Sequence, residues 1–240
     1  MTNPKNYRVL GILLGAAILM NVVIGVVLAR KLYWTYPHAD AAKSNKIEYF
    51  LNRQQYFEVF PADSNSIIFL GNSLTQNFDV TELLQDLRIK NRGIYGDHTA
   101  GVLNRITPIL QSKPQKVFIE IGLNDLLHQV PRDTVLRNFK QIIDTLTNNG
   151  GTEVYVQSLL PIAQTGEAAD LPHINDDIRY LNEKLKSYAL EHKASYVDLY
   201  ASFSLNGTIN PKYFTYDGEH LTGEGYLLWA ELVRPLVNTP

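Results

Sequence analysis

After residue 65 the chain repeats one pattern, in which a short apolar run is followed by a polar turn and a longer amphipathic segment. The apolar runs begin at residues 66, 89, 116, 152 and 195 and read SIIFLG, IKNRGIYG, KVFIEIG, TEVYVQSLLP and SYVDLY. Stretches 67–70 and 117–121 are almost continuously apolar, which is typical of strands covered by helices on both faces of a parallel sheet. The pattern predicts an α/β fold over 66–238, a three-layer α/β/α sandwich around a five-stranded parallel sheet.

A longer apolar run precedes this domain. Residues 9–29 include no charged side chain, and as a helix they would be about 31 Å long, close to the roughly 30 Å hydrocarbon core of a bilayer. The run therefore predicts an N-terminal transmembrane helix. A cleaved signal peptide is the alternative, because Lys5 and Arg8 precede the run and it ends in Val27-Leu28-Ala29. The run exceeds the usual apolar region of such peptides, about 7–15 residues, which favours the anchor.

These segments predict four parts: a short tail over 1–8, the anchor or uncleaved signal over 9–29, a stalk and first helix over 30–65, and the domain over 66–238. Basic residues at 30, 31, 43 and 46 follow the apolar run, and by the positive-inside rule they favour a cytoplasmic domain. The very short tail and the signal-like order favour export instead. We expect a membrane-anchored domain on the extracytoplasmic side, periplasmic or extracellular.

Composition excludes several classes of function. The 22 Lys and Arg against 24 Asp and Glu give a net charge of -2 and form no basic stripe, so no nucleic-acid partner is expected. Without cysteine there are no disulfides, thiolate metal sites or cysteine nucleophiles. The six histidines show no HExxH motif or close pair, so no metal or cofactor is expected. The oligomeric state stays open.

Four loop segments carry candidate chemistry. Ser73 follows the first strand, where it is either a helix cap or an exposed nucleophile, and a lone GNS is more often a cap. Gly96 ends the second strand and could offer a backbone N–H to an oxyanion, and Asn124 follows the third strand with an amide donor. Asp217 and His220, three residues apart before the last helix, could form an orienter and base pair.

Together these segments point to serine-based acyl transfer. Each lies after a predicted strand or before the last helix, where a parallel α/β sheet gathers its functional residues. The set supplies a nucleophile, two oxyanion donors, a base and a residue that orients the base. This combination favours the catalytic interpretation of Ser73 over the helix cap.

The four segments, LGNSLT (70–75), NRGIYGDHTAG (91–101), GLND (122–125) and DGEHLT (217–222), resemble the ordered blocks of the SGNH hydrolases, the GDSL-type esterase and lipase superfamily. The resemblance is to the small-ester branch, which includes O-acetylesterases and platelet-activating-factor acetylhydrolase-like proteins. It implies a flavodoxin-like sheet and an esterase with Ser73, Asp217 and His220 as catalytic residues. The oxyanion hole would comprise the N–H groups of Ser73 and Gly96 and the Asn124 amide.

The resemblance also suggests residues that could contact substrate. Asn72 stands where the family often has Asp, and His98 stands beside the oxyanion loop. Asp125 follows the oxyanion asparagine, and His173 lies in a loop over 162–176 that is expected to line the pocket. The expected substrate is a small acyl ester, most simply an O-acetylated sugar. A lysophospholipid at the membrane, or acyl-glycan binding without catalysis, are the alternatives.

Overall fold

The computed structural model describes residues 20–21, 23–28 and 45–239 of the 240-residue chain. The chain divides into two units, Met1–Asn52 and Arg53–Pro240. In the first unit the described residues 20–21, 23–28 and 45–52 are all helical. The tail over 1–8 and most of the predicted anchor over 9–29 lie outside the described residues. Among the residues that are described, no helix has both the length and the apolar character needed to span a membrane.

The second unit is built on a five-stranded sheet in which every neighbouring pair is parallel. The strands lie in the order β2-β1-β3-β4-β5. This confirms the predicted five-stranded parallel sheet, and the order is that of flavodoxin-like folds. Their bounds are β1 Ile67–Gly71, β2 Ile89–Gly93, β3 Lys116–Glu120, β4 Glu153–Gln157 and β5 Ser195–Val197.

Helices connect the strands, and a small antiparallel hairpin, β6 (Ser204–Leu205) with β7 (Thr208–Ile209), precedes the last one. A 3₁₀ turn, Gly166–Ala168, lies in the loop after β4. The first helix, α1, covers 45–59, and its residues 53–59 belong to the second unit. The others are α2 Ser73–Gln76, α3 Val80–Leu84, α4 Thr99–Asn104, α5 Thr107–Ser112, α6 Leu123–Leu127, α7 Arg132–Thr147, α8 Ile174–Glu191, α9 Leu199–Phe203 and α10 Gly223–Asn238.

The amphipathic segment over 99–111 forms two helices, α4 and α5, where the sequence pattern predicts one. Pro108 stands in the first turn of α5. A proline has no N–H to donate to the carbonyl four residues earlier, and its ring favours the start of a helix over its interior. The break therefore falls at Arg105 and Ile106, and the Arg105 side chain reaches Asp97 and the end of β1 at Gly71.

Both faces of the sheet are buried, which explains the continuous apolar runs. On one face Ile68, Leu70, Val117 and Ile119 join a core that includes residues of α4 to α8. On the other face Ile67, Phe69 and Phe118 join a core that includes Trp229 and Val233 of α10. Burying a side chain of this size contributes about 1.5–3 kcal/mol relative to leaving it exposed. The three layers place the carboxyl ends of β1, β2 and β3 side by side.

Gly71 shapes the turn between β1 and α2. A Cβ atom at this position would overlap both Thr75 Oγ1 and the carbonyl oxygen of Glu120 on the neighbouring strand. Only glycine lets the backbone pass this close to β3. The turn places Ser73 between the ends of β1 and β3, where the strand order reverses and α/β proteins generally bind their ligands.

Candidate active site

Ser73, His220 and Asp217 form a continuous chain of hydrogen bonds. Ser73 Oγ lies 3.0 Å from His220 Nε2, and His220 Nδ1 lies 2.9 Å from Asp217 Oδ2. A carboxylate only accepts hydrogen bonds, so Nδ1 carries the proton of a neutral imidazole and Nε2 accepts from the serine hydroxyl. The fold thus brings together residues separated by 147 positions in the chain.

Asp217 is held as a carboxylate. Partial burial acts to raise its pKa, but hydrogen bonds from Thr215 Oγ1, from the backbone N–H groups of Glu219 and His220 and from the His220 ring outweigh burial and lower the pKa well below its ordinary value. The Thr215 bond, at 2.6 Å, is the shortest of the four. The carboxylate is therefore charged at any pH at which the imidazole acts as a base.

Ser73 does not cap the helix that it begins. The cap is Asn72, whose Oδ1 accepts the backbone N–H of Leu74 at 2.9 Å. This leaves the Ser73 hydroxyl to bond His220 and places its backbone N–H at the start of α2, where a helix has no internal acceptor for it. The Asn72 side chain is buried and its Oδ1 is committed to the cap, and its contact with substrate stays a prediction.

Gly96 and Asn124 lie on the two loops that flank this serine. Gly96 has φ of +72°, a left-handed conformation that favours glycine, and its N–H has no protein acceptor among the described residues. Asn124 Nδ2 donates to the carbonyl of Asp97 at 2.9 Å, which fixes the amide beside the Gly96 loop. The second N–H of that amide is left for a ligand.

A buried ion pair supports the Gly96 loop. Arg105 Nε donates to Asp97 Oδ2 at 2.8 Å, and Arg105 Nη2 donates to the carbonyl of Gly71 at 3.2 Å. Both side chains are almost fully buried. One guanidinium therefore ties the loop that carries Gly96 to the turn that carries Ser73. Neither the sequence spacing nor the residue types indicated this link.

Two other residues that were predicted to contact substrate, His98 and Asp125, differ in their surroundings. His98 lies beside the site, with its ring 5.0 Å from that of His128, whose Nδ1 bonds the carbonyl of Asn124. Asp125 is buried, and its carboxylate accepts from the backbone N–H and the hydroxyl of Thr99, so it fixes the start of α4, and its contact with substrate stays a prediction.

His173 lies apart from the triad. It is exposed at the start of α8, pairs with Asp176 and lines a cavity with residues of the α6–α7 loop and α8. The loop over 162–176 nevertheless meets the histidine segment, since Ala163 N–H donates to the carbonyl of Gly218 at 2.9 Å and Thr165 Oγ1 to that of Asp217 at 3.1 Å. The loop therefore contacts the histidine segment through Ala163 and Thr165, whereas His173 lines a cavity that includes no triad residue, and its contact with substrate stays a prediction.

Sequence reasoning missed several neighbours of the site. The exposed ring of Tyr95 lies parallel to that of His220 with centroids 6.2 Å apart. Glu219 is an electrostatic neighbour of His220, Glu167 and His128, and burial raises its pKa. Tyr95 lies in the segment 91–101 and Glu219 in the segment 217–222. Their position in the sequence, next to Gly96 and His220, could have indicated that they lie near the site. No cluster of His, Asp or Glu suited to a metal ion occurs in the part of the chain that is described.

Glu120 is an unpartnered acid at the end of β3. Its side chain is fully buried, and neither carboxyl oxygen has a hydrogen-bond partner among the described residues. Desolvation, with a smaller contribution from the charge of Glu219, raises its pKa to about 8. The side chain is therefore largely protonated at neutral pH, because no positive charge compensates the ionised form.

Replacing Glu120 with Gln should remove a pH-dependent loss of stability. The folded state binds the Glu120 proton more tightly than the unfolded state, so stability falls as pH rises from the unfolded pKa through about 8. Between pH 6 and pH 9 the native chain should lose on the order of 2–3 kcal/mol relative to Glu120→Gln. Urea unfolding at both pH values measures the difference, with the exposed Glu231→Gln as control. An equal pH dependence in the native and Glu120→Gln chains would contradict the burial argument.

Several known proteins are similar to this chain in sequence. A family model described as "GDSL-like Lipase/Acylhydrolase family" matches residues 69–228, from β1 into α10. The N-acylneuraminate cytidylyltransferase of Streptococcus agalactiae is 25% identical over 208 residues, which are 84% of this chain and 46% of that protein. The chain thus spans about half the length of this curated relative. An arylesterase of Vibrio mimicus is 28% identical over 113 residues, 41% of this chain and 56% of that protein.

The fold has a close counterpart among solved structures. A GDSL-like lipase from Bacteroides thetaiotaomicron superimposes with a TM-score of 0.70 at 25% identity, covering 78% of this chain and 98% of the other. The range matched by the family model contains the serine turn and the histidine segment described above. On the family match and this geometry, the chain belongs to the GDSL-like lipase/acylhydrolase family.

Proposed function

We propose that this chain is a serine esterase that removes small acyl groups, acetyl above all, from carbohydrate hydroxyls through an acyl-enzyme on Ser73. The observation that carries the proposal is the hydrogen-bonded chain from Ser73 through His220 to Asp217, with donors from Gly96 and Asn124 beside it. A serine alcohol is a poor nucleophile without such a base, and the base works best when a third group fixes its tautomer.

The geometry supports a two-step reaction. His220 Nε2 takes the proton from Ser73 Oγ as that oxygen attacks the ester carbonyl. The N–H groups of Ser73 and Gly96 and the amide of Asn124 stabilise the resulting oxyanion. The C–O bond to the alcohol then breaks, and His220 returns its proton to the leaving oxygen. A water molecule, deprotonated by the same imidazole, attacks the acyl-enzyme and releases the carboxylic acid and free Ser73.

The polar surroundings of the triad support a polar alcohol. His128 and Glu219 are electrostatic neighbours of each other, and Glu219 also interacts with Glu167 and His220. His98 extends this polar set from the other side. Hydrogen-bonding groups of this kind suit sugar hydroxyls, whereas a lipid chain would require a mostly apolar lining. A short acyl group is the simplest partner for such an alcohol.

Names of relatives agree with this choice of substrate class. The curated relative of Streptococcus agalactiae is named for N-acylneuraminate, an acylated sugar acid, and the relative of Vibrio mimicus is named an arylesterase. The first name contains a carbohydrate, and the second describes ester cleavage. The first supports a sugar as the alcohol of the substrate, and the second supports an ester as the bond that is broken.

The anchor and location are part of the proposal. Residues 9–29 are apolar and long enough to span a bilayer, and the signal-like order of the tail and this run favours export. We infer a domain held on the extracytoplasmic side, where it would meet acetylated glycans outside the cytoplasm. Two fusions after residue 240 test this placement, one with a reporter that is active only in the periplasm and one with a reporter that is active only in the cytoplasm. Activity of the first fusion alone is expected, and activity of the second alone would refute the placement.

An acyl-ester panel tests the substrate. The full chain should release acetate from acetylated xylo-oligosaccharides or glucose pentaacetate and little fatty acid from lysophosphatidylcholine, and Ser73→Ala should release neither. Comparable or greater kcat/KM on the lysolipid would replace the sugar ester with a lipid ester. Absence of both products, together with no labelling of Ser73 by a fluorophosphonate probe, would favour a binding domain without catalysis.

A further inference from the structure

A cavity of about 280 Å³ lies on the second unit away from the triad, between α1 and the α4–α5 region. Its lining includes Phe57, Pro61, Ala62, Arg92, Arg105 and Ile109 and none of the triad or oxyanion residues. The volume is near the lower end of small-molecule sites, which span about 300–1,000 Å³. The mechanism above assigns this cavity no role.

Three guanidinium groups surround one aromatic ring in the cavity wall. The Cζ atoms of Arg92, Arg53 and Arg105 lie 4.7, 4.9 and 5.9 Å from the centroid of Phe57. Each distance is within the range of a cation–π contact, so the ring holds the three cations close together. The positive charges of Arg53 and Arg105 act on Arg92 and repel it. A negatively charged group bound beside the three guanidinium groups would therefore stabilise them.

Each of these guanidinium groups retains a nitrogen without a partner. Arg92 donates from Nη1 and Nη2 to the carbonyls of Asn91 and Phe60, which leaves Nε. Arg105 donates from Nε and Nη2, which leaves Nη1. Nε of Arg53 is buried and also has no acceptor among the described residues. Of these nitrogens only Arg53 Nε is a buried donor left without a partner, and Arg53 lies behind the lining. In the lining itself, Arg92 Nε and Arg105 Nη1 are free to donate to an acceptor that enters the cavity.

Carboxylates near the cavity do not neutralise it. Asp97 pairs with Arg105 alone, and Glu58 lines the cavity but is exposed and forms no ion pair within the described residues. Burial, with the nearby charges of Arg53 and Arg105, lowers the pKa of Arg92 to about 10. The three arginines of the cluster thus have at most two carboxylates near them, those of Asp97 and Glu58.

Part of the lining is apolar, beside the polar side chains of Gln54, Asn104 and Thr107, and exposed apolar side chains continue the apolar part. Phe57, Pro61, Ala62 and Ile109 form the walls, and next to them Val59 and Phe60 expose more than half of their surface. We propose that this cavity binds a phosphate group carried on an apolar body, either the headgroup of an anionic lipid or a soluble phosphate ester. Arginine forks match phosphate oxygens in pairs, and the walls exclude water from the attached group.

Calorimetric titration with phenyl phosphate tests the proposal in the full chain carrying Ser73→Ala, so that the proposed nucleophile takes no part. Saturable one-to-one binding is expected, with benzyl alcohol binding far more weakly. Arg92→Gln should reduce the affinity about tenfold or more, because it removes a charged donor. Arg137→Gln, an exposed arginine on α7, is the matched control and should leave the affinity unchanged.

Two further measurements complete the test. Ala62→Leu narrows the cavity while keeping all three arginines, so it should also weaken phenyl phosphate binding even if Arg92→Gln fails to fold. Displacement of phenyl phosphate by monomeric dihexanoylphosphatidic acid would assign a lipid headgroup, and displacement by glucose 6-phosphate would assign a soluble ester. Absence of saturable binding, equal affinity for benzyl alcohol, displacement by neither compound, or full affinity in a folded Arg92→Gln chain would overturn the proposal.

Discussion

Ser73→Ala should lower the turnover of a short p-nitrophenyl ester by about 10⁴-fold or more, because no other group replaces the attacking oxygen. The side chain is buried at the start of α2, and among the described residues its hydroxyl bonds only His220. Loss of one hydroxyl leaves no sizeable cavity, so the fold and the thermal midpoint should change little. Initial-rate kinetics and circular dichroism on the same preparation measure both quantities.

Ser187→Ala provides the control for this prediction. Ser187 is an exposed serine on α8 whose hydroxyl bonds a backbone carbonyl of its own helix. The Ser187→Ala variant should retain native turnover, and its Ser73 should react with a fluorophosphonate probe as in the native chain. Native turnover in Ser73→Ala, or probe labelling of a different serine, would show that the hydrolysis depends on another nucleophile.

Asp217→Asn should lower kcat by about 10²–10⁴-fold with a much smaller change in KM. The carboxylate only accepts, so it forces the His220 proton onto Nδ1. An asparagine can present an N–H to Nδ1 instead, which moves the ring proton to Nε2, where it faces Ser73 and cannot take up the hydroxyl proton. The bonds from Thr215 and the backbone N–H groups can be kept by the asparagine oxygen, so local structure should survive.

The rate of Asp217→Asn should be compared with that of Asp170→Asn, which changes an exposed acid in the loop after β4. The control should show native kinetics. If Asp217→Asn retained native kcat, the imidazole would be oriented by another group, and Asp217 would have only a structural role in its turn. A parallel rise in KM would instead indicate a disturbed substrate pocket.

The turn at Ser73 shows how much of the local structure can be predicted from neighbouring residues in the sequence. Taken alone, GNS favours a helix cap, and a cap is indeed present, but it is Asn72 that bonds the N–H of Leu74. Neighbouring Asn and Ser are both good caps, and only the path of the chain past Gly71 decides which side chain turns inward. The same reasoning explains Asp125, which sits in a motif that resembles a substrate site and yet holds Thr99 at the start of α4.

Other features had no local signal at all. Arg105 lies in a segment that reads as one amphipathic helix, and its bonds to Asp97 and Gly71 exist because α4 ends there. Glu120 stands in an apolar strand, and its carboxyl oxygens have no partner within the part of the chain that the structure describes. The arginine cluster around Phe57 joins residues of α1, β2 and the break after α4, whose distances depend on how these elements pack.

The sequence by itself determined the class of fold and the order of the strands along the chain, because continuous apolar runs separated by amphipathic segments can be buried only between two helical layers. It also located Ser73, Gly96, Asn124, Asp217 and His220, since each stands at the end of a strand or before the last helix. Tertiary structure alone decided which of the neighbouring polar residues reach the site and which brace it. Hydrogen bonds depend on distances of a few tenths of an ångström between elements far apart in the chain, and such distances are set by packing.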